Sequence, residues 1–307
     1  MSDPRVTVRA AAKINLLLGV GAPRPDGFHT LVTVYQAVSL YDDLTVSPAD
    51  ELTVETTVAS YLDAEHLPEP GHNIVDRAAA ALTAHHGRPV TARVQVDKSI
   101  PIAGGLAGGS ADGAAALVAL DRLHDLQTSD DDLLMLAAGL GSDVPFALVG
   151  ATALGEGHGE IVTPVRDAGS WWWVVVPSED GMSTPAVYQH YDEIRPDAPL
   201  VPDPPDEIVE ALASGDPHRL AVALHNDLER AALDLRPDLA QLIVEGVDAG
   251  ALRGLVSGSG PTCVFLCDSA DHARAVAGAL SAGSAARDQR VVLVAHGPVA
   301  GAHVVAT

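Results

Sequence analysis

The residues best suited to chemistry are a cluster of glycines, an early lysine and a later aspartate. The glycines Gly104, Gly105, Gly108 and Gly109 lie in the segment I-P-I-A-G-G-L-A-G-G-S-A-D, which begins at Ile100. Glycine has no Cβ, so successive backbone N–H groups in this segment can converge on a ligand at short range. The composition of the segment therefore predicts a loop that binds an anion.

A strand and a helix are expected to hold this loop. Residues 92–98 form a strand-like run, and the apolar run from Ser110 to about Leu123 predicts a helix with Ser110 as a candidate N-cap. A helix N-terminus directs free N–H groups and a positive dipole end at an anion. Together these elements favour a polyphosphate cradle. A flexible hinge before a core helix is the alternative, because the loop lacks the lysine of the P-loop and the G-x-G-x-x-G spacing of dinucleotide-binding loops.

Lys13 and Asn15 interrupt the apolar segment V-T-V-R-A-A-A-K-I-N-L-L-L-G-V. Positions i and i+2 of a strand share a face, so the two side chains are expected to project together. An edge strand with a solvated lysine is the alternative. Asp143 lies in the turn G-S-D-V-P-F beside apolar elements, where a functional carboxylate and a simple N-cap or turn role both fit.

Composition excludes several classes of function. The chain has 307 residues, 47% of them hydrophobic, and a formal net charge of −23, which argues against nucleic acids and anionic membranes as partners. The N-terminal residues M-S-D-P-R-V-T-V lack a basic region followed by an apolar one, so we expect no signal peptide, and without an apolar run of about 18 residues we expect no membrane span. Cys263 and Cys267 lie along one predicted strand, too far apart for a disulfide, which favours a cytoplasmic protein. The 13 histidines show no metal-binding spacing, so we expect no metal site built by the protein.

The remaining pattern predicts alternating helices and strands. In the N-terminal half we expect two strands and an irregular piece over 6–20, a surface hairpin over 44–58, a helix after Asn73, a helix over 130–140 and a strand over 147–155. In the C-terminal half the pattern predicts a strand from Trp171, helices over 206–214, 217–233, 236–249 and 270–282, and a closing strand over 290–296.

In combination, these motifs resemble those of the GHMP kinases. The segment P-I-A-G-G-L-A-G-G-S-A-D resembles the phosphate loop of that family, and S-G-S-G-P-T, from Ser257, resembles its C-terminal glycine motif. The segments A-K-I-N-L-L-L, D-G-F-H-T and G-S-D-V-P-F resemble one branch, which phosphorylates a cytidyl-linked sugar alcohol of the non-mevalonate isoprenoid pathway. The resemblance implies a two-domain α+β fold, with domains 1–165 and 166–307 and the active site in the cleft between them.

The resemblance also implies roles for individual residues. Asp143 matches the catalytic base of the family and Lys13 its partner. The residues that match the ATP site are Asn73, Lys98, Pro101, Ala103, Gly104, Gly105, Leu106, Ala107, Gly108, Gly109 and Ser110. Those that match the substrate site are Asn15, Phe28, His29, Thr184, Pro185, Tyr188, Gly258, Ser259 and Gly260. Of these, His29 would hydrogen-bond a cytosine ring held between Phe28 and Tyr188.

The implied cofactors are ATP and Mg²⁺, with no protein metal ligand identified. The implied partners are the small cytidyl substrate and ATP, and a weak homodimer is allowed. Another GHMP kinase of the homoserine or mevalonate type and a non-catalytic nucleotide-binding regulator are the alternatives. Three residues depart from the family pattern: Ala107 replaces a glycine, Gly113 replaces an alanine and Phe28 replaces a tyrosine. We expect Gly113 to weaken the first turn of its helix by about 1 kcal/mol.

Overall fold

The computed structural model describes residues 5–64, 67, 73–102, 104–178, 180–283 and 290–306. Two β-sheets with helices packed against them form a mixed α+β architecture. The strands are β1 (Val6–Pro23), β2 (His29–Ser47), β3 (Thr53–Val58), β4 (Arg93–Lys98), β5 (Thr152–Gly157), β6 (Ile161–Pro164), β7 (Trp171–Val176), β8 (His225–Asn226), β9 (Arg253–Val256), β10 (Cys263–Cys267), β11 (Leu293–Gly297) and β12 (His303–Ala306). The helices are α1 (Ile74–His86), α2 (Gly108–His124), α3 (Asp130–Leu140), α4 (Val144–Val149), α5 (Thr184–Ile194), α6 (Asp206–Ser214), α7 (Pro217–Ala223), α8 (Glu229–Leu235), α9 (Pro237–Asp248) and α10 (Ala270–Gly283).

The first sheet has the strand order β12-β1-β2-β4-β3, and β5 and β8 pair with β2 and β1 outside this path. Its central strand β1 is continuous, so the prediction of two strands and an irregular piece over 6–20 is wrong. The pairing of β1 with β2 shifts register between Ala11 and Ala12 and again between Asn15 and Leu17. Such bulges absorb an extra residue and turn side chains without ending the strand.

The hairpin predicted over 44–58 is also wrong. β3 pairs in parallel with β4, and β4 lies between β2 and β3 in the sheet. Parallel strands need a crossover connection, and α1 supplies it between β3 and β4. The alternating pattern of residues 44–58 correctly predicts strands, but it does not indicate which strands pair.

Helix α2 packs on this sheet through a face composed mostly of alanine, which allows close approach. It begins two residues before Ser110, and its N-cap is Ala107, whose φ of 56° lies in the left-handed region. The prediction of Ser110 as N-cap is therefore wrong. Close packing of α2 against α1 explains the glycine at position 113, because a Cβ there would lie 2.8 Å from Cδ1 of Ile74 on α1.

The strand predicted over 147–155 is correct only in its second part. The chain after Asp143 first forms the short helix α4, and β5 begins at Thr152. Pro145 lies in the first turn of α4, a position where its missing N–H costs nothing. The buried residues Val144 and Phe146 fit one helical turn as well as a strand, so the apolar run alone did not separate the two.

The second sheet has the antiparallel order β11-β7-β10-β9. The predicted strand from Trp171 and the helices over 206–214, 236–249 and 270–282 are confirmed to within a residue or two. The predicted helix over 217–233 is wrong, because β8 divides it and pairs in parallel with β1. Cys263 and Cys267 are buried free thiols of β10, as expected from their positions in a strand.

Besides β8, a second strand of the C-terminal half joins the first sheet. β12, which the sequence reading missed, carries the C-terminal end of the chain back to β1 and pairs with it antiparallel. The domain boundary between residues 165 and 166 stays a prediction. Among the described residues, no helix has the length and apolar character needed to cross a bilayer.

Candidate active site

Two glycine-rich loops meet at the centre of the molecule. The backbone N–H of Thr262 donates to the carbonyl oxygen of Gly104 (3.3 Å), and the hydroxyl of Ser257 donates to that of Gly105 (3.5 Å). Gly105 has a φ of 78°, and a Cβ there would lie 2.5 Å from the carbonyl oxygen of Ser257. Only glycine permits this approach, so the loop composition reflects contact between the loops as well as space for a ligand.

The first loop leads directly into the N-terminus of α2. Gly108, Gly109 and Ser110 form the first turn of the helix, where backbone N–H groups have no acceptor within the helix. All three residues line an open cavity. The described first turn thus presents free donors and a positive dipole end to that cavity, which is the arrangement expected of a phosphate site.

Lys13 and Asn15 project together from β1, as the two-residue period predicts. Both side chains are buried, and the ammonium of Lys13 donates to Oδ1 of Asn15 (2.8 Å). The amide of Asn15 in turn donates to the hydroxyl of Thr33 on β2 (2.8 Å). The backbone N–H of Lys13 also donates to the carbonyl oxygen of Leu106 (3.1 Å), which ties β1 to the glycine loop. The lysine is therefore not a solvated edge residue.

Asp143 faces this lysine across the cavity. Its Oδ2 lies 3.6 Å from Nζ of Lys13, and its Oδ1 accepts a hydrogen bond from the hydroxyl of Tyr35 (3.0 Å). Although Asp143 occupies the N-cap position of α4, its side chain makes no capping hydrogen bond. The carboxylate thus points toward Lys13 and Tyr35 and not back to its own helix.

Tyr35 is a site residue that sequence reasoning missed. It is paired with Asn15 across β1 and β2, so the two side chains share one face of the sheet. Burial raises the pKa of Tyr35 well above its ordinary value of 10, and the charge of Asp143 adds to this effect. The phenol therefore stays protonated and donates. The sequence signal is weak: Tyr35 lies two residues after Thr33 in a strand-like run, so the two side chains share a face.

The cavity between the two halves of the chain has a volume of about 540 Å³. It is open to solvent and lined by both glycine loops, by the polar residues of β1 and β2 and by the start of α5. The lining residues are Lys13, Asn15, Leu18, Leu31, Tyr35, Pro101, Gly104, Gly105, Ala107, Gly108, Gly109, Ser110, Ser142, Asp143, His158, Met182, Thr184, Tyr188, Gly258, Ser259 and Gly260.

Aromatic side chains border the end of the cavity near α5. The rings of His29 and Tyr188 lie 4.9 Å apart, and Nε2 of His29 is 2.9 Å from Oδ1 of Asp192. Because a carboxylate only accepts, this contact places the ring proton on Nε2 and leaves Nδ1 as an acceptor in the neutral ring. Phe28 is 61% exposed and packs edge-on against His158, with ring centroids 5.0 Å apart.

The second glycine loop is held by a residue that the sequence reading did not select. The side-chain amide of Asn226 donates to the carbonyl oxygens of Val256 and Gly258, both at 2.8 Å. The hydroxyls of Thr184 and Ser259 are hydrogen-bonded at 2.8 Å, which links α5 to the loop. Asn226 could have been noticed, since a polar pair at 226–227 interrupts an otherwise helical apolar pattern.

Several residues predicted for the ATP and substrate sites do not line the cavity. Asn73 caps α1, and its Oδ1 accepts hydrogen bonds from the backbone N–H groups of Val75 (2.7 Å) and Asp76 (3.1 Å). Leu106 is buried under the loop, and Pro185 is exposed on α5. Ala103 lies outside the described residues. The remaining predicted residues, apart from Lys98, Phe28 and His29, are brought together around the cavity.

Lys98 lies behind the glycine loop in a buried ion cluster. Its ammonium donates to Oδ2 of Asp42 (2.7 Å) and to Oδ2 of Asp112 (2.6 Å). Asp42 also accepts from the backbone N–H groups of Ser99 (2.6 Å) and Ile100 (2.9 Å), so the cluster fixes the entry to the loop. Burial raises the pKa of Asp112. The two carboxylates outweigh burial and raise the pKa of Lys98 above 10.5.

In the part of the chain that is described, no group of three or more His, Cys, Asp or Glu residues is arranged to hold a metal ion. The oxygen donors that the cavity offers are few: the carboxylate of Asp143 and hydroxyls such as that of Ser110. Mg²⁺ is commonly held by one or two protein oxygens together with phosphates and water. These oxygens do not form a complete set of metal ligands. They fit an ion that binds together with a nucleotide.

Comparison with known proteins places this geometry in a family. The GHMP kinases N terminal domain matches residues 73–151, and the GHMP kinases C terminal domain matches residues 208–285. A protein of a Nocardioides species named 4-diphosphocytidyl-2-C-methyl-D-erythritol kinase is 64% identical over 97% of this chain and 99% of its own length. The protein of the same name from Nocardia farcinica is 51% identical over 98% of this chain and 96% of its own length.

Solved structures agree with the sequence comparison. A crystal structure of 4-(cytidine 5'-diphospho)-2C-methyl-D-erythritol kinase superposes with a TM-score of 0.77 at 32% identity, and it covers 94% of this chain and 98% of that one. Homoserine kinase from Cytophaga hutchinsonii has a TM-score of 0.71 at 19% identity over 99% of this chain and 98% of its own, which shows a shared fold alone. The chain thus belongs to the GHMP kinases, the ATP-dependent small-molecule kinases, and within them to the family of the 4-diphosphocytidyl-2-C-methyl-D-erythritol kinases.

Proposed function

We propose that this chain transfers the γ-phosphoryl group of ATP to the 2-hydroxyl of 4-diphosphocytidyl-2-C-methyl-D-erythritol, a step of the non-mevalonate isoprenoid pathway. The names of relatives up to 64% identical support this substrate. The observation that carries the proposal is the contact between Lys13 and Asp143, at 3.6 Å, in a cavity lined by two glycine loops and the N-terminus of a helix.

The geometry supports the chemistry of an alcohol kinase. Asp143 accepts the proton of the substrate hydroxyl while that oxygen bonds to the γ-phosphorus and the bond to ADP breaks. Lys13 supplies a positive charge beside the carboxylate and the reacting oxygen. The free N–H groups of 108–110 face the phosphates, where they balance charge without a lysine in the loop.

Mg²⁺ accompanies ATP in this proposal. The hydroxyl of Ser110, in the first turn of α2, is a lining oxygen that could hold it together with phosphate oxygens and water. When bound, the ion would neutralise charge on the phosphoryl oxygens. Asn73, Lys98 and Ala103 stay predictions for the ATP site, as do a cytoplasmic location and a weak homodimer.

The end of the cavity near α5 fits a pyrimidine. Tyr188 offers a flat ring face beside His29, and in this proposal the largely exposed ring of Phe28, next to His158, covers the base from the other side. Stacking of a base on an aromatic ring contributes about 1–3 kcal/mol. Thr184 and Pro185 begin the same helix, and Asn15 lies toward the reacting end.

Turnover with three alcohols would test the proposal. The purified chain would be given ATP and Mg²⁺ with the cytidyl substrate, homoserine or mevalonate, and ADP release would be measured. We expect kcat/KM for the cytidyl compound to exceed the other two by at least about 100-fold, because the latter leave the aromatic end empty. Equal use of all three would point to another GHMP kinase, and ATP binding without any turnover would point to a regulator.

A further inference from the structure

The hydroxyl of Tyr35 on β2 donates a hydrogen bond to Oδ1 of Asp143 (3.0 Å), a contact that charge balance does not explain. We propose that Tyr35 is a positioning residue, which holds Oδ1 of Asp143 so that Oδ2 is directed at the substrate hydroxyl. The inference rests on the proposed function in one respect, namely that Asp143 is the base for phosphoryl transfer.

The orientation of Asp143 is not set by its own helix. A side chain at an N-cap position ordinarily accepts from the first backbone N–H groups of the helix, and Asp143 does not. Within the described part of the chain, its side chain contacts the Tyr35 hydroxyl, 3.0 Å from Oδ1, and the Lys13 ammonium, 3.6 Å from Oδ2. The side chain is 29% exposed, so packing alone leaves the carboxylate free to rotate. Because Tyr35 donates to Oδ1 and not to Oδ2, its hydrogen bond makes the two carboxylate oxygens of Asp143 inequivalent.

The residues around Tyr35 pack closely against its ring and hydroxyl. Its ring packs on Phe146, with centroids 4.8 Å apart, and only 2% of the residue is exposed. A Cβ at Gly155 would lie 2.5 Å from Cε2 of Tyr35, and a Cβ at Gly159 would lie 2.2 Å from its hydroxyl oxygen. Gly155 has no positive φ, so its backbone does not require glycine, and the ring is the reason for the missing side chain.

The same ring also contacts the lysine. Nζ of Lys13 lies 5.7 Å from the centroid of Tyr35, within the range of a cation–π contact. Lys13 is further fixed by Asn15, and Asn15 by Thr33. Tyr35 thus touches both members of the pair and lies at the end of a buried polar network, where it can set the distance between ammonium and carboxylate.

Four variants test the proposal: Tyr35→Phe, Asp143→Asn, the double variant, and Tyr41→Phe as a control. Tyr41 lies on the same strand but near Arg9, away from the cavity. We expect Tyr35→Phe to lower kcat about tenfold with both KM values within about twofold, since a hydrogen bond to a charged group is lost. Tyr41→Phe should match the unsubstituted protein. In the Asp143→Asn background, adding Tyr35→Phe should change kcat less than about twofold.

Two kinetic results would overturn the proposal. One is a kcat of Tyr35→Phe within twofold of the unsubstituted protein. The other is an equal tenfold loss in the Asp143→Asn background, which would show that the phenol acts on the fold and not through the carboxylate. Thermal melting of each variant would show that it is folded.

Ligand-free crystal structures separate this inference from the proposed function. In the unsubstituted protein we expect one orientation of the Asp143 carboxylate, and in Tyr35→Phe a turned or divided orientation. An unchanged carboxylate in Tyr35→Phe would overturn the positioning role whatever the substrate is. Absence of turnover with the cytidyl compound would instead overturn the proposed function, and the crystallographic comparison would still decide the role of Tyr35.

Discussion

The ammonium of Lys13 lies 3.6 Å from Oδ2 of Asp143, although the two residues belong to the first strand and to a short helix late in the N-terminal half. Their approach depends on the glycine loop, because the backbone of Lys13 donates to Leu106 within that loop. The pair therefore lines the same cavity as the N-terminus of α2.

The buried ion cluster behind the loop should be essential for stability. Lys98→Met would leave the carboxylate of Asp42 buried without its cation, and it would remove the ammonium that also contacts the carboxyl group of Asp112. We expect the free energy of unfolding to fall by about 3–5 kcal/mol, measured by urea denaturation. Arg274→Met, which breaks an exposed pair with Asp271 on α10, should cost less than about 1 kcal/mol. Equal costs for the two substitutions would show that the cluster does not support the fold.

Asp112 should make stability depend on pH. Burial raises its pKa above the ordinary 3.8 in the folded state. The folded protein therefore keeps a proton that the unfolded chain releases, and the stabilising contribution of Asp112 is full below about pH 4 and declines as pH rises. We expect Asp112→Asn to destabilise the protein more at pH 5 than at pH 8, by urea denaturation at each pH. A cost that grows with pH would contradict the raised pKa.

Asp192 should affect binding of the cytidyl substrate but not of ATP. It contacts Nε2 of His29 at 2.9 Å and so leaves Nδ1 to accept from a donor such as the amino group of cytosine. We expect Asp192→Asn to raise KM for the cytidyl substrate about tenfold, with kcat and the KM for ATP within about twofold, in steady-state assays. Glu193→Gln, one residue along α5 and paired with the half-buried His190, is the control and should change none of these three constants. A parallel rise in the KM for ATP would argue against this role.

The local parts of the site were readable from the sequence. The two-residue period of a strand placed Lys13 and Asn15 on one face, and the glycine composition located both loops. The start of α2 was misplaced because Ser110 is a good N-cap by residue type, whereas the loop geometry puts Ala107 there in a left-handed conformation. An alanine in that region is strained, and no propensity scale predicts it.

The long-range parts were not readable. Tyr35 and Asn226 reach the site through strand pairing and through the short strand β8, and a single sequence does not specify which strands pair. Lys98 matched the ATP site by resemblance, but Asp42 and Asp112 hold it behind the loop. That cluster depends on a residue of β2 and a residue of α2 meeting in the core, which no local pattern indicates.

The most direct test of the central claim is the kcat of Asp143→Asn with ATP and the cytidyl substrate, with ATP-analogue binding measured by calorimetry on the same preparation. We expect kcat to fall at least about 100-fold while nucleotide affinity changes little, and Lys13→Ala to show a loss of the same order. A kcat for Asp143→Asn within a few-fold of the unsubstituted protein would contradict the assignment of this carboxylate as the base.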